Sequence, residues 1–214
     1  MIQDFYILSS ARKSPKYLVI ILHGYGANGK NLLSMAQYWK NILKDTLFIV
    51  PNAPFPFPHD ENGYQWFEIG DLSPSYLMQG CQMAAPLLHT FITNIQNSYS
   101  TPPQRTILTG FSQGGMLALA TGLAYEHTCQ GILSYSGGLF LLPSLLSPSS
   151  HKVHIGLIHG TEDSVVPHQA SIEAKQRLIN NQNNVIFHSM PHLGHQINEE
   201  GLKHGAQFIQ RSLV

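Results

Sequence analysis

The segment that most constrains the fold of this chain runs from Ile107 to Met116. A short apolar run leads into Gly-Phe-Ser-Gln-Gly, and an alanine- and leucine-rich stretch follows it. A strand that enters a Gly-x-Ser-x-Gly turn and a helix that leaves it form a nucleophile elbow, which exposes the serine hydroxyl on a sharp turn. Glycine is needed at Gly110 and Gly114 because side chains there would collide across so tight a turn. The pattern predicts that Ser112 is a nucleophile in a strained backbone conformation.

The five-residue motif is not decisive by itself. At average glycine and serine frequencies, a chain of this length contains it by chance roughly one time in ten. A glycine-rich connection between a strand and a helix, without any chemistry, would have the same sequence. The strand pattern before the motif and the helix pattern after it favour catalysis, which then requires a base, an acid and a second oxyanion donor elsewhere.

The charge of the chain excludes several classes of partner. Only 11% of the 214 residues are charged, with 12 acidic and 12 basic side chains. Without a basic run, we expect no binding to nucleic acid or to an anionic membrane surface. No apolar run approaches the length of a membrane span, and the first residues lack the pattern of a secretory signal. We therefore expect no integral membrane association and a cytoplasmic location.

The length and the remaining composition indicate an ordinary globular enzyme. A chain of this length is expected to form a single domain over residues 1–214. The two cysteines, Cys81 and Cys129, do not make a disulfide framework and are predicted to be reduced. Because little charge opposes self-association, the protein is expected to be a monomer or a homodimer.

Strand and helix patterns alternate along the chain. Apolar runs without polar alternation suit strands that are buried on both faces of a parallel sheet. The predicted strands are 5–8, 17–22, 47–50, the run before the elbow, 131–136, 154–158 and 185–188. The predicted helices are a segment capped by Asn28 and ending at Leu43, then 73–98, the elbow helix to 126, 167–180 and 198–211. The order predicts an α/β fold with a mostly parallel central sheet and helices on both faces.

Two segments without helix or strand periodicity are candidates for substrate-binding loops. Residues 55–74 are dense in aromatic side chains, which argues against disorder, and the alternative is a loop that merely packs on the sheet edge. Residues 139–150 are first apolar and then rich in serine and proline, and they are predicted to be locally mobile. The predicted substrate-binding residues are Phe55, Phe57, Trp66, Phe67 and Leu139.

The later strands supply an acid and a base, because functional groups collect at the carboxyl ends of strands in such a sheet. Of the five aspartates only Asp163 follows a late strand, with Glu162 as the alternative acid. Asp163 could instead cap the next helix. His195 and His192 compete as the base, and His195 is favoured because it follows Gly194 and precedes the last predicted helix. The order serine, acid, histidine is the order of the α/β-hydrolase fold.

The second oxyanion donor is expected in the loop after an early strand. The glycine-rich residues 23–26 follow such a strand, which predicts the backbone N–H of Tyr25, or of Gly24, as one donor. The backbone N–H of Gln113, at the start of the elbow helix, is the other. Each donor of this kind typically contributes about 3 kcal/mol in the transition state.

The remaining histidines have no predicted catalytic role. His23 and His159 each precede a glycine at a strand end and are predicted to shape loops. The pair His192 and His195 could be read as metal ligands, but zinc needs further ligands and no matching cluster is evident. We therefore predict neither a metal nor a cofactor.

The chain resembles the carboxylesterase/phospholipase group of α/β hydrolases, which includes acyl-protein thioesterases, lysophospholipases and small bacterial carboxylesterases. The resemblance implies that Ser112, Asp163 and His195 form the catalytic triad, with the N–H groups of Tyr25 and Gln113 as oxyanion donors. Two departures bear on acyl specificity: Glu68 stands where the family usually has Asp, and the loop after residue 54 is short and rich in Phe and Pro. The resembling blocks, in family order, are 22–26, 51–54, 66–69, 110–115, 159–167 and 194–197.

The predicted activity is the hydrolysis of carboxylic esters of small or medium acyl chains, on a small-molecule ester or a lipid acyl substrate. A lysophospholipase or an acyl-protein thioesterase is the alternative within the same chemistry. Outside it, the chain could be a hydrolase-like module that binds an acyl ligand without cleaving it. The complete set of Ser112, Asp163 and His195 argues against such a module, because a binder needs none of the three.

Overall fold

A computed structural model of the chain describes residues 1–10, 14–146 and 153–213. Short 3-10 turns at Gly29–Leu32, Pro103–Arg105 and Pro143–Leu145 accompany the regular elements. The helices are α1 (Leu33–Ile42), α2 (Pro74–Tyr99), α3 (Gln113–Ala124), α4 (Gln169–Asn180) and α5 (Glu199–Ser212). The strands are β1 (Phe5–Ser9), β2 (Tyr17–Leu22), β3 (Thr46–Pro51), β4 (Phe55–Phe57), β5 (Asp60–Gln65), β6 (Thr106–Phe111), β7 (Gly131–Tyr135), β8 (His154–Gly160) and β9 (Val185–Met190).

Seven strands form one sheet in the order β1-β3-β2-β6-β7-β8-β9. All neighbouring pairs are parallel except the edge pair β1–β3, which is antiparallel. The apolar run of β2 is buried from Leu18 to Leu22, as its unbroken hydrophobic pattern predicts. The mostly parallel sheet is confirmed, and its strand order brings the carboxyl ends of β2, β6, β7, β8 and β9 to one edge.

Helices cover both faces of the sheet, as predicted. Trp39 of α1 and Phe208 of α5 belong to the core on one face. On the other face the core contains Leu88 of α2, Leu117 of α3 and Leu178 of α4. α3 is apolar around its whole circumference because it is enclosed between the sheet and α2. Among the described residues, no helix is both long and apolar enough to cross a membrane.

The prediction that residues 55–74 lack secondary structure is wrong for its first half. β4 and β5 form a separate antiparallel hairpin, in which Phe55 pairs with Gln65. This hairpin could not be predicted from the sequence because β5 is polar and shows no alternation of apolar and polar residues. It is held by backbone hydrogen bonds to residues 23–27 after β2, the predicted oxyanion loop. These run from Gly26 N–H to Tyr64 O (3.0 Å) and from Tyr64 N–H to Ala27 O (2.8 Å). Register in such a strand depends on these distant partners.

The segment after β7 is held against α4. The guanidinium of Arg177 donates to the carbonyl oxygens of Leu139 (2.7 Å) and Leu141 (2.8 Å). The apolar side chains of Leu139, Leu141 and Leu146 are buried. Residues 147–150, on which part of the predicted mobility falls, lie outside the described residues. The described part of the segment therefore packs against α4.

Candidate active site

Ser112 has the strained backbone that a nucleophile elbow requires. Its φ is 54° and its ψ is −119°, between the end of β6 and the first residue of α3. A non-glycine residue in this region costs of order 1–3 kcal/mol, so the surrounding structure must hold it. The Ser112 N–H donates to Tyr135 O (2.9 Å), and the Ser112 carbonyl accepts from Met116 N–H (3.0 Å). The strand β7 and the helix α3 therefore fix the turn on both sides.

The glycines around Ser112 are there because backbones approach each other closely. A Cβ on Gly110 would lie 2.3 Å from the carbonyl carbon of Gly114, which is the collision predicted across the turn. A Cβ on Gly114 would lie 2.3 Å from Leu22 O, at the end of β2. A Cβ on Gly24 would lie 3.4 Å from the Cβ of Ser112. The loop that contains Tyr25 thus passes directly over the elbow.

The structure brings Asp163 and His195 together. His195 Nδ1 donates to Asp163 Oδ2 at 2.7 Å, and the Asp163 side chain is fully buried. With Nδ1 engaged in this way, the imidazole keeps Nε2 for another partner. The ring of His195 packs on Phe111, with 4.7 Å between the ring centroids. Since Phe111 directly precedes Ser112, this contact places the imidazole beside the elbow.

Asp163 is ionised at neutral pH. Burial raises the pKa of its carboxyl, but hydrogen bonds outweigh burial and leave the pKa below its usual value. The lowering comes from His195 and from the N–H groups of Val166 and Val165, which donate to Oδ1 at 2.9 Å and 3.0 Å. The Asp163 carboxylate therefore accepts N–H groups of its own loop. The alternative that it caps the following helix is wrong, because His168 is the N-cap of α4.

The competing acid and base pair with each other instead. His192 Nδ1 lies 2.8 Å from Glu162 Oε1, and both side chains face solvent, with exposed fractions of 89% and 61%. His192 also has a positive φ of 56°, and its N–H donates to Thr161 Oγ1. An exposed contact of this kind contributes little to stability. Of the two pairs, Asp163 and His195 face mostly inwards, whereas Glu162 and His192 face solvent.

The side chain of Gln113 has a structural role that the sequence analysis missed. Its Oε1 accepts the N–H of Trp66 (2.9 Å), and its Nε2 donates to the carbonyl of Phe67 (2.7 Å). These bonds fasten the segment after β5 to the first residue of α3, next to Ser112. The sequence gives one indication of this role, a glutamine at the start of a mostly apolar helix. If such a side chain is buried, it requires hydrogen-bond partners.

His23 shapes the oxyanion loop, as predicted. Its Nε2 accepts the N–H of Ala53 (2.9 Å), and its carbonyl accepts the indole N–H of Trp66 (2.9 Å). Burial lowers the pKa of His23 to about 4 and leaves the imidazole neutral. Protonation would remove the lone pair that accepts the Ala53 N–H. The conformation of the loop that contains Tyr25 therefore depends on a neutral His23.

Lowering the pH from 7 to 4 is expected to destabilise the protein by up to about 3 kcal/mol through His23 alone. The folded protein excludes a proton that the unfolded chain binds near its ordinary pKa of 6.5. This part of the stability is complete above that value and is lost as the pH falls to about 4. Urea unfolding at several pH values measures the change. His23→Gln should lose clearly less stability over the same range, and an equal loss would contradict the assignment.

Two apolar cavities border α2. The larger, of about 620 Å³, lies between α2 and the residues that follow β5, and Phe55, Trp66 and Phe67 line it. The smaller, of about 380 Å³, is lined by Leu139, Phe140 and residues of α4. Of the predicted substrate-binding residues, Phe57 lines neither of these two cavities. Its ring packs edge-on against Tyr25, with 5.0 Å between the centroids, and so supports the oxyanion loop.

The described residues include two free cysteines and no cluster of metal ligands. Cys81 and Cys129 are free and buried, and burial raises the pKa of each thiol to about 12. Such thiols are poor nucleophiles, since the thiolate is the reactive form. Within residues 1–10, 14–146 and 153–213, no group of three or more His, Cys, Asp or Glu side chains could hold a metal ion.

Comparison with known proteins shows the family to which the chain belongs. The sequence profile of the phospholipase/carboxylesterase family matches residues 3–213. The chain is 35% identical over 171 residues to acyl-protein thioesterase 1 of Schizosaccharomyces pombe, covering 76% of this chain and 75% of that protein. It is 29% identical to a probable carboxylesterase of Oryza sativa, covering 96% and 81%. The crystal structure of esterase PE8 superimposes with a TM-score of 0.90 at 33% identity, over 97% of this chain and 98% of that one.

Proposed function

The chain is a member of the phospholipase/carboxylesterase family of α/β hydrolases and hydrolyses esters, and we propose that it does so through an acyl-enzyme on Ser112. The observation that supports this most is the buried 2.7 Å bond between His195 and Asp163 beside the strained elbow. Such a pair holds an imidazole in the tautomer that accepts a serine proton. We further propose that residues 1–214 form a single catalytic domain and that it acts in the cytoplasm.

In the first half of the reaction, Ser112 Oγ attacks the acyl carbon and His195 Nε2 takes its proton. The carbonyl oxygen becomes an oxyanion, which accepts hydrogen bonds from the backbone N–H groups of Tyr25 and Gln113. The imidazolium then returns the proton to the leaving alkoxide or thiolate, and the C–O or C–S bond breaks. Asp163 stays ionised throughout and stabilises the imidazolium.

In the second half, water attacks the acyl-enzyme with His195 again as the base. The new carboxylic acid leaves, and the proton returns to Ser112. The donors of the oxyanion loop act in both halves because the same oxygen bears the charge each time. Their position depends on His23 and Phe57, which support the loop that contains Tyr25.

The proposed acyl site is the larger cavity, lined by Phe55, Trp66 and Phe67. Gln113 directly follows the proposed nucleophile. Its side chain holds one wall of this cavity through hydrogen bonds to the backbone of Trp66 and Phe67. The volume of the cavity suits a small or medium acyl chain. A thioester of a longer chain is the second candidate substrate, because several relatives are named acyl-protein thioesterases and the cavity is apolar.

The deciding experiment is labelling with a fluorophosphonate, which reacts with an activated serine. The proposal expects stoichiometric modification of Ser112, shown by peptide mass spectrometry, together with loss of esterase turnover. A hydrolase-like module that only binds an acyl ligand would remain unlabelled at Ser112. Labelling of a different serine with parallel loss of activity would also refute the assignment.

Phe55→Ala is expected to lower kcat/KM for medium-chain esters about 5- to 10-fold and to leave acetyl esters nearly unchanged. The reason is that a longer chain loses apolar contact with the Phe55 ring, whereas an acetyl group does not reach it. A series of p-nitrophenyl esters measures the ratio. Phe140→Ala, which removes the same side chain from the smaller cavity, is the matched control. A change in chain-length preference in Phe140→Ala alone would move the acyl site to that cavity.

A further inference from the structure

His159 is a buried titratable side chain that the proposed mechanism does not use. It is the penultimate residue of β8, four positions before Asp163. The side chains of His159 and Asp163 both have no exposed surface. A buried imidazole costs free energy unless its two nitrogens find partners, so its contacts indicate what it does.

One edge of the His159 ring faces the proposed catalytic acid. Its Nε2 lies 2.9 Å from the carbonyl oxygen of Val166 and 3.2 Å from Asp163 Oδ2. Both neighbours are acceptors, so Nε2 must be protonated, and its N–H donates to Val166 O with Asp163 Oδ2 alongside. Asp163 Oδ2 therefore lies between two imidazole N–H groups, that of His195 at 2.7 Å and that of His159.

The other edge of the ring is held by α4. His159 Nδ1 lies 2.6 Å from Ser171 Oγ, which is also 2.9 Å from the carbonyl of Gly137. Burial lowers the pKa of His159 despite the raising effects of the Val166 carbonyl and Asp163, and the nearby His168 and His195 lower it further. The one hydroxyl hydrogen of Ser171 has two acceptors in reach, Gly137 O and Nδ1 of the neutral ring, so Ser171 holds the ring in place at this edge. The two acceptors at the other edge require the tautomer that carries Nε2–H.

We propose that His159, supported by Ser171, is a positioning residue that holds Asp163 Oδ2 where it accepts the N–H of His195. This inference rests on the proposed triad of Ser112, His195 and Asp163. Without the second N–H, the carboxylate has one side-chain partner on Oδ2 and can rotate away from the line of the His195 bond. Its charge would also fall on His195 alone, which favours the protonated imidazole.

The test compares His159→Leu with His159→Gln. The leucine variant is expected to lose kcat on the order of 10- to 100-fold with KM nearly unchanged, because the geometry of the base is lost and substrate binding is not. The acidic limb of its kcat/KM profile should move to higher pH by about 0.5 unit. His159→Gln places an amide N–H near the position of Nε2 and should recover most of both effects. Ser171→Ala should show the same changes in smaller measure.

A matched control separates positioning from stability. Thr106→Val removes buried hydrogen bonds at the start of β6, at the opposite edge of the sheet from the site. It should lower Tm and leave kcat and the pH profile as in wild type. Active-site titration with the fluorophosphonate corrects every variant for its folded fraction.

The outcomes distinguish failure of the proposed function from failure of the positioning role of His159. If wild-type turnover does not depend on Ser112, the proposed function fails, whatever the His159 variants show. If turnover does depend on Ser112 but His159→Leu keeps the wild-type kcat and pH profile, only the positioning role is overturned. Should His159→Leu not fold, Ser171→Ala decides, and an unchanged kcat with an unchanged pH profile overturns the role.

Discussion

Ser112→Ala is expected to lower kcat for ester hydrolysis by at least about 10⁴-fold, with an unchanged fold. The substitution removes the attacking oxygen but keeps the Cβ, so the strained turn between β6 and α3 meets the same steric environment. Residual turnover would come from the oxyanion donors and from binding alone. Steady-state kinetics with a p-nitrophenyl ester and thermal unfolding by circular dichroism measure the two quantities.

Ser136→Ala is the matched control for this variant. Ser136 also has a positive φ, of 46°, is buried, and follows the neighbouring strand β7. Loss of its hydroxyl should leave turnover close to that of wild type. Comparable losses in Ser112→Ala and Ser136→Ala would mean that the elbow region tolerates no change, and Ser112 would lose its assignment as the nucleophile.

Asp163→Asn is expected to lower kcat by about 10³- to 10⁴-fold, with a smaller effect on KM. The amide has almost the same shape, but it is neutral and can donate to His195 Nδ1. The imidazole would then present the wrong tautomer to Ser112 and would lack a counter-charge in the transition state. Glu162→Gln makes the same chemical change at the adjacent residue and should retain most of the activity, because Glu162 pairs with His192 in solvent.

The base can be tested in the same way. His195→Gln should be almost inactive, whereas His192→Gln should lose only an exposed hydrogen bond to Glu162. A larger loss of kcat in Glu162→Gln and His192→Gln than in Asp163→Asn and His195→Gln would identify the solvent-facing pair as catalytic. That result would require the loop that contains Asp163 to rearrange when substrate binds.

The elbow, the loop that contains Asp163 and the loop that contains His195 could be predicted because each follows from a local sequence pattern. A buried parallel strand appears as an unbroken apolar run, and the residue types that follow it lie at the functional edge of the sheet. This rule is enough to nominate Ser112, Asp163 and His195 and to predict a mostly parallel sheet. It leaves Glu162 as the alternative to Asp163, and only the fold shows which of these two adjacent carboxylates is buried.

Three features depend on partners far away in the chain. The hairpin of β4 and β5 has a polar second strand, and its register follows from hydrogen bonds to the oxyanion loop. The Gln113 side chain finds its partners 46 and 47 residues earlier. The ring of His159 lies between the loop that contains Asp163 and Ser171 of α4, an arrangement that exists only in the folded chain. No local pattern encodes such contacts, because the same residues would be solvated in another packing.

The sequence by itself therefore determined the chemistry: a serine elbow, followed by an acid and a base in the required order, on an alternating α/β pattern. Short-range sterics and the burial of parallel strands make these features recognisable from the sequence alone. Only the tertiary structure decided which carboxylate and which imidazole face inwards, and where the apolar cavities lie. Those choices depend on the packing of elements that are distant along the chain, where burial and hydrogen bonding select one side chain over its neighbour.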